Sequence, residues 1–177
     1  MKGPQLHSRL ADIELFLCDV DGVLTDGSIF IGGRQEIKRY NIQDGLGLVL
    51  LRRAGIKIGW ISSRPSPATT LRARELKITF LVQQKDRLGK AAAIEKILKQ
   101  EKLEWDDVCY MGDDVVDLAP LEKAGVGIAV ANARAEAKEA ADFVTIAEGG
   151  FGAVREVADM ILKAQGKWDS IIAHYRE

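Results

Sequence analysis

The chain is poor in the features that mark secreted, membrane-bound or nucleic-acid-binding proteins. Its only two cysteines, Cys18 and Cys109, are too few for a disulfide framework and have no zinc-ligand spacing. Each lies within an apolar strand-like run, so they read as small buried hydrophobes in a reducing compartment. No stretch is apolar for long enough to span a bilayer, and Met1 to Asp12 lacks the apolar segment of a secretory signal. There is no basic cluster and the formal net charge is −1, which leaves nucleic acid and anionic membranes without an electrostatic handle. No repeat, low-complexity tract or linker interrupts the chain. The expectation is one domain over residues 1–177, cytoplasmic, without nucleic-acid or membrane partners.

What is present is ordinary globular material: 177 residues, 47% hydrophobic and 29% charged, enough to bury a sizeable core. Short apolar runs alternate with amphipathic patterns from end to end, which predicts an α/β fold with a doubly wound parallel sheet. The predicted strands are Leu15 to Val20, Lys57 to Ser62, Thr79 to Val82, Val108 to Met111, Val126 to Val130 and Phe143 to Ile146. The predicted helices are Leu46 to Arg53, Pro67 to Leu76, Lys90 to Gln100, Val116 to Lys123, Ala133 to Ala140 and Ala153 to Ala164. One insertion breaks the alternation. Ser28 to Ile31 and Glu36 to Tyr40 flank Gly32-Gly33 and read as a projecting β-hairpin, about 27–41, which must pack on something because an isolated hairpin is marginal in water. The tail from Gly166 to Glu177 is left open between flexible and docked.

The hairpin follows the most informative stretch, Leu15-Phe16-Leu17-Cys18-Asp19-Val20-Asp21-Gly22. An apolar run of this kind predicts a strand buried on both faces, yet it ends in two carboxylates one residue apart that strand alternation points the same way. Like charges crowded at one point call for a cation between them. In a parallel sheet, ligands gather at the carboxyl ends of the strands. Ser62-Ser63-Arg64 closes the second core strand, Lys90 opens the helix after the third, and Gly112-Asp113-Asp114-Val115-Val116-Asp117 follows the fourth. Lys85 competes with Lys90 by position. For Asp114 and Asp117, capping a helix or supporting Asp113 weighs at least as much as ligating the cation.

Together these groups meet the demands of phosphoryl transfer from a monoester: an in-line nucleophile, positive charge and donors for the non-bridging oxygens, and an acid for the departing alkoxide. Asp19 is the expected nucleophile and Asp21 the general acid and then base. Ser62 is the expected donor to a phosphate oxygen, and Lys90 the neutralising cation. Mg2+ would bridge Asp19, Asp113 and a phosphate oxygen.

DVDGVLTDG, ISSR, the Lys90 helix and GDDVVD, in that order, resemble the four motifs of the haloacid dehalogenase-like phosphatases. The hairpin, Asn41-Ile42-Gln43-Asp44-Gly45, the segment Gly149 to Val157 and Ala164-Gln165-Gly166-Lys167 resemble, more narrowly, the KDO 8-phosphate phosphatases of lipopolysaccharide sugar synthesis. The resemblance implies a Rossmann-like core without a separate cap domain. It also implies a homotetramer in which one subunit's hairpin covers the next subunit's site. Mg2+ would then be held by Asp19, the backbone carbonyl of Asp21, and Asp113. Substrate contacts would fall on Asn41, Ile42, Gln43, Asp44, Gly45, Arg64, Arg72 and Lys90, with the arginines suited to a sugar-acid carboxylate. Many relatives carry arginine where Gln43 stands and a basic residue where Val49 stands. Relatives acting on nine-carbon sialic-type acid phosphates share the frame, and retained Arg64 favours the eight-carbon substrate. A receiver-type phospho-acceptor is disfavoured by motif order, and a non-catalytic oligomerisation module by completeness of the set.

Overall fold

A computed structural model of the chain describes residues 3–33, 35–84 and 89–177. The chain opens with helix α1 (Gly3–Ala11) and strand β1 (Leu15–Cys18), followed by a two-stranded antiparallel hairpin, β2 (Phe30–Gly32) and β3 (Gln35–Ile37). It continues through α2 (Ile42–Arg53), β4 (Lys57–Ser62), α3 (Pro67–Leu76), β5 (Phe80–Gln83) and α4 (Gly89–Glu101) to β6 (Val108–Gly112). A 3-10 turn at Val115–Asp117 leads into α5 (Leu118–Lys123), β7 (Val126–Ala129), α6 (Ala135–Ala140), β8 (Phe143–Val144), α7 (Ala153–Ala164) and α8 (Trp168–His174).

Six strands pair in parallel in the order β5-β4-β1-β6-β7-β8. β1 lies centrally, and all four of its side chains are buried, as the unbroken apolar run requires of a strand covered on both faces. The chain leaves β1 toward one edge and returns to pair β6 on β1's other side, so the topological switch lies between β1 and β6. At such a point the loops beyond the strand ends splay apart and open a crevice.

The helices follow their apolar stripes and caps. In α7, Val154, Val157, Ala158, Ile161 and Leu162 are buried at helical spacing, and this face packs on α2 and α1. α3 spans the predicted residues because the Ser66 side chain caps it through Thr69 N, Pro67 sits in its first turn, and Lys77 ends it in the left-handed region. α2 begins four residues before its predicted start, since the Asn41 side chain accepts from Gln43 N and caps a glycine-containing first turn. α5 starts later than predicted because Val115–Asp117 winds as the tighter turn. α1 was absent from the predicted helices. The tail is docked: α8 packs on α7, and Arg53 donates to the Tyr175 hydroxyl at 3.0 Å. Both cysteines are free and buried, as read from their runs. No helix among the described residues is long and apolar enough to cross a membrane.

Candidate active site

β1 ends by delivering Asp19 into the crevice, where Asp19 N donates to Met111 O of β6 at 3.0 Å and so continues the sheet register one residue past the strand. Val20 N donates to Asp19 Oδ1 at 2.6 Å, leaving Oδ2 to face the Lys90 ammonium at 2.9 Å. Lys90 comes from the first turn of α4 and is itself buried. Its ammonium also meets Asp117 Oδ1 at 2.6 Å. Lys85, the rival by position, lies outside the described residues.

Asp117 is wholly buried and fully engaged. Oδ1 accepts from Lys90 and from the Tyr110 hydroxyl at 2.5 Å, while Oδ2 accepts from the backbone N–H groups of Asp113 and Asp114 at 3.1 and 3.3 Å. One carboxylate thus shapes the turn after β6, supports Asp113 through its backbone N–H and fixes the lysine. Asp114 turns outward and caps the same turn through Val115 N at 2.7 Å.

Carboxylate oxygens of Asp19, Asp113 and Asp117 lie within 4.8 Å of one another. With Asp117 saturated, Asp19 and Asp113 are the ligands to spare, and Asp113 Oδ1 is buried without any hydrogen-bond partner. An orphaned buried carboxylate oxygen is costly unless a cation meets it. Burial, with the Asp19 and Asp117 charges adding to it, pushes the Asp113 carboxyl up to about 8. Burial likewise lifts Asp19 to about 6 against the pull of Lys90. For Lys90, burial opposes the charge, but Asp19 and Asp117 outweigh it and hold the ammonium above its ordinary value. The backbone beyond Asp21 completes the enclosure, because Gly22 lies so close to Asp113 that a Cβ there would sit 2.1 Å from Oδ2. An all-oxygen donor set with excess negative charge fits a hard divalent cation such as Mg2+.

Asp21 stands on the open side, its carboxylate Oδ1 2.6 Å from the ammonium of Lys38 on the hairpin. Ser62 and Lys90 line one small cleft. The Ser62 hydroxyl is engaged with its own turn, donating to Arg64 O and accepting from Arg64 N, both at 3.1 Å.

Among the expected substrate contacts, Arg64 pairs with Glu36 of the hairpin, which also accepts from the Ser66 hydroxyl at 2.6 Å. These two donors, Arg64 foremost, hold the Glu36 carboxyl down to about 2. Arg72 arches over the start of α2, where a Cβ on Gly45 would lie 2.5 Å from its Nη2, and it faces the Tyr40 ring at 6.0 Å. Arg64 Nη1 and Arg72 Nε are buried N–H groups without acceptors. Asn41 is spent as the cap of α2, while Ile42 and Gln43 are exposed at its first turn. Asp44, expected among the substrate contacts, has a structural duty. It is buried, and its oxygens accept from Gly152 N at 3.2 Å and Arg155 N at 2.8 Å, so the carboxylate is committed to the first turn of α7. Val49 lies partly buried within α2.

Three residues near the site escaped the sequence reading: Glu36, Lys38 and Tyr110. A signal for the first two existed, since Glu36, Lys38 and Tyr40 share one face of an extended limb, with Ile37 and Arg39 on the other.

Residues 79–154 match the family model of haloacid dehalogenase-like hydrolases. The chain is 37% identical over 167 residues to the 3-deoxy-D-manno-octulosonate (KDO) 8-phosphate phosphatase KdsC of Salmonella typhimurium, covering 94% of this chain and 88% of the relative. A crystal structure of the KDO 8-phosphate phosphatase from Moraxella catarrhalis, in complex with magnesium ion, phosphate ion and KDO, superposes with a TM-score of 0.93 at 38% identity over 98% of this chain and 99% of that one. The cobalt-bound phosphatase from Haemophilus influenzae gives a TM-score of 0.85 at 39% identity, covering 90% of this chain and 92% of its own.

Proposed function

Because the chain belongs to the KDO 8-phosphate phosphatases of the haloacid dehalogenase-like hydrolases, we propose that it hydrolyses KDO 8-phosphate to KDO and inorganic phosphate with Mg2+ as cofactor. The observation that carries the reading is the convergence of Asp19, Lys90 and an orphaned Asp113 at the switch point of the sheet. Asp19, the main-chain carbonyl of Asp21, and Asp113 would hold the ion, which when bound supplies the positive charge that lets a carboxylate approach a phosphate dianion.

Asp19 attacks phosphorus in line and the bond to the sugar oxygen breaks, while Asp21 delivers its proton to that oxygen. The resulting aspartyl-phosphate is then hydrolysed. Asp21, now a carboxylate, takes a proton from water, whose oxygen attacks phosphorus and frees Asp19 and phosphate. Lys90, already 2.9 Å from Asp19 Oδ2, offsets the charge accumulating there. Ser62 lines the same cleft and donates to a phosphate oxygen once its hydroxyl turns from Arg64.

The sugar-acid carboxylate is taken by Arg64 and Arg72, whose unpartnered N–H groups await acceptors. The start of α2, Asn41 to Gly45, forms the adjoining wall, with Asp44 supporting it from behind.

The chain acts in the cytoplasm as one domain and assembles as a homotetramer through the hairpin, whose Phe30, Ile31 and Ile37 face solvent in the single chain. The test is phosphate release from KDO 8-phosphate and from a nine-carbon sialic-type acid phosphate, with Mg2+ and with chelator. Release from the eight-carbon ester in Mg2+ alone is expected. Asp19→Asn should remove it, by at least about 1,000-fold for loss of a nucleophile. Full turnover by that variant overturns the mechanism.

A further inference from the structure

The hairpin carries its charge inward. Glu36, Lys38 and Tyr40 turn toward the body of the protein while Ile37 and Arg39 are exposed, and the Lys38 side chain has 0% exposure. A lysine is buried this deeply only where its charge is met, because desolvation alone would cost several kcal/mol, on the order of the whole stability of many domains. Its ammonium lies 2.6 Å from Asp21 Oδ1, 3.8 Å from Glu36 Oε1, and donates to Thr69 Oγ1 at 3.2 Å. Both flanking partners are themselves pinned. The Tyr40 hydroxyl shares a hydrogen bond with Thr69 Oγ1 at 3.0 Å, and Ser66 and Arg64 hold Glu36.

Anchoring the hairpin does not by itself require the contact to Asp21. Glu36 already ties the limb to the Arg64–Ser66 turn, and Thr69 already gives Lys38 and Tyr40 a partner on α3. The contact to Asp21 does something else. It pairs the ammonium with one buried carboxyl oxygen of a side chain that is itself 22% exposed, so the other oxygen is left out of the ion pair.

We propose that Lys38 is a positioning residue that holds the Asp21 carboxyl in line with the leaving oxygen. The proposal rests on the phosphatase reading above. An acid transfers its proton within a hydrogen-bond distance of about 2.6–3.2 Å, so a freely rotating Asp side chain would spend much of its time out of reach. Anchored through Oδ1, Asp21 offers Oδ2 in both half-reactions, first as donor to the sugar oxygen and then as acceptor from water. The cation that orients the acid therefore arrives on the projecting hairpin, outside the four motif segments.

A leaving-group comparison tests this. Because kcat/KM counts only steps through departure of the alcohol, it reports the step in which Asp21 gives its proton. The sugar alkoxide needs that proton, and 4-nitrophenolate scarcely does. Lys38→Met is expected to lower kcat/KM for KDO 8-phosphate about 100-fold, the lower end for loss of general acid catalysis, and that for 4-nitrophenyl phosphate less than about fivefold. Lys38→Gln keeps a donor for Asp21 and should lose roughly 10-fold on the sugar ester alone, which also serves if the methionine variant does not fold. In an Asp21→Asn background, Lys38→Met should cost less than about twofold more, because residues acting through one another are not additive. Equal losses on the two esters in whichever variant folds, or full additivity with Asp21→Asn, would overturn the proposal. Wild-type protein inert toward both esters defeats the phosphatase reading and this one together. Active wild type with unselective variants defeats this one alone.

Discussion

Gly22 and Asp113 approach so closely that a single methyl group placed on Gly22 would lie 2.1 Å from the Asp113 carboxylate. Gly22 also holds φ at +94°, in the region that side chains rarely adopt. The turn after β1 and the turn after β6 are thus pressed together across the switch point of the sheet, which closes the cation site from the backbone side.

Gly22→Ala is therefore expected to act twice. Strain at the positive φ should cost about 1–3 kcal/mol, seen as a lower urea midpoint. The displaced Asp113 should weaken Mg2+, raising the concentration needed for half-maximal phosphate release at least about 10-fold, as for a lost coordination contact. An unchanged Mg2+ titration would show that Asp113 is not part of the cation site.

The carboxylates of the site set a dependence on pH that Mg2+ should reverse. Burial first, then like charge, pushes Asp113 from 3.8 up to about 8, and burial lifts Asp19 from 3.8 to about 6. Between those limits the folded, metal-free protein keeps protons that the unfolded chain has released, so its stability should fall as pH rises from about 4 to about 8. Glu36 works oppositely, since its carboxyl is held near 2, but its contribution is lost only as pH drops below about 4.5, outside this window. A bound cation competes with the same protons. Thermal melts at one fixed Mg2+ concentration, about 100 times the dissociation constant at pH 8, should show a rise of roughly 5–10 °C at pH 8 and a smaller one at pH 5.5, where protons weaken the binding. Equal shifts at both pH values would remove these carboxylates from the cation site.

How far the sequence told this story depended on how local each relationship was. β1, the acidic turn and the Gly112–Asp117 turn were legible because the apolar runs, the parallel alternation and the strand-end rule act within a few residues or follow from topology. The start of α2 was hidden by Gly45 and Gly47, which dilute its helical signal, although the Asn41 cap was present. Asp117 was legible as an acid but not as Lys90's partner, because that pairing bridges 27 positions and depends on how α4 seats against the 3-10 turn after β6. Lys38 was not singled out, since it shares one face of the limb with Glu36 while Ile37 and Arg39 take the other. Physical pattern reading treats such a face as solvated, and only the fold shows that it covers a site.

Asp44 is the clearest case of a residue whose position near a site conceals a structural duty. Its carboxylate serves as a borrowed cap for α7, accepting from Gly152 N and Arg155 N. Asp44→Ala should leave both N–H groups without their acceptor and cost about 1–3 kcal/mol in chemical denaturation, as for a lost cap or buried hydrogen bond. KM for KDO 8-phosphate, measured well below the melting temperature, should move less than about threefold, within the non-specific error of such comparisons. A large KM change with unaltered stability would return Asp44 to the substrate contacts.

The hairpin presents the last test, because its two faces make opposite demands. Inward, Glu36 and Lys38 are tied to Arg64, Ser66, Thr69 and Asp21. Phe30 and Ile37, paired on the opposite face, and Ile31, across from Glu36, are each at least 60% exposed, an apolar surface that a single chain leaves in water. Burying three such side chains between subunits would contribute about 1.5–3 kcal/mol each, enough to hold an assembly that loses its contacts elsewhere. Replacing Phe30, Ile31 and Ile37 together by serine spares the inward ion pairs and should bring the sedimentation mass below that of the proposed tetramer. Deleting residues 29–37 should do the same and also abolish activity on the sugar ester, since it removes Glu36 and separates the anchored limb from its turn. A tetramer that survives the triple substitution intact would assign its assembly to another surface and leave the hairpin's outward face unexplained by association.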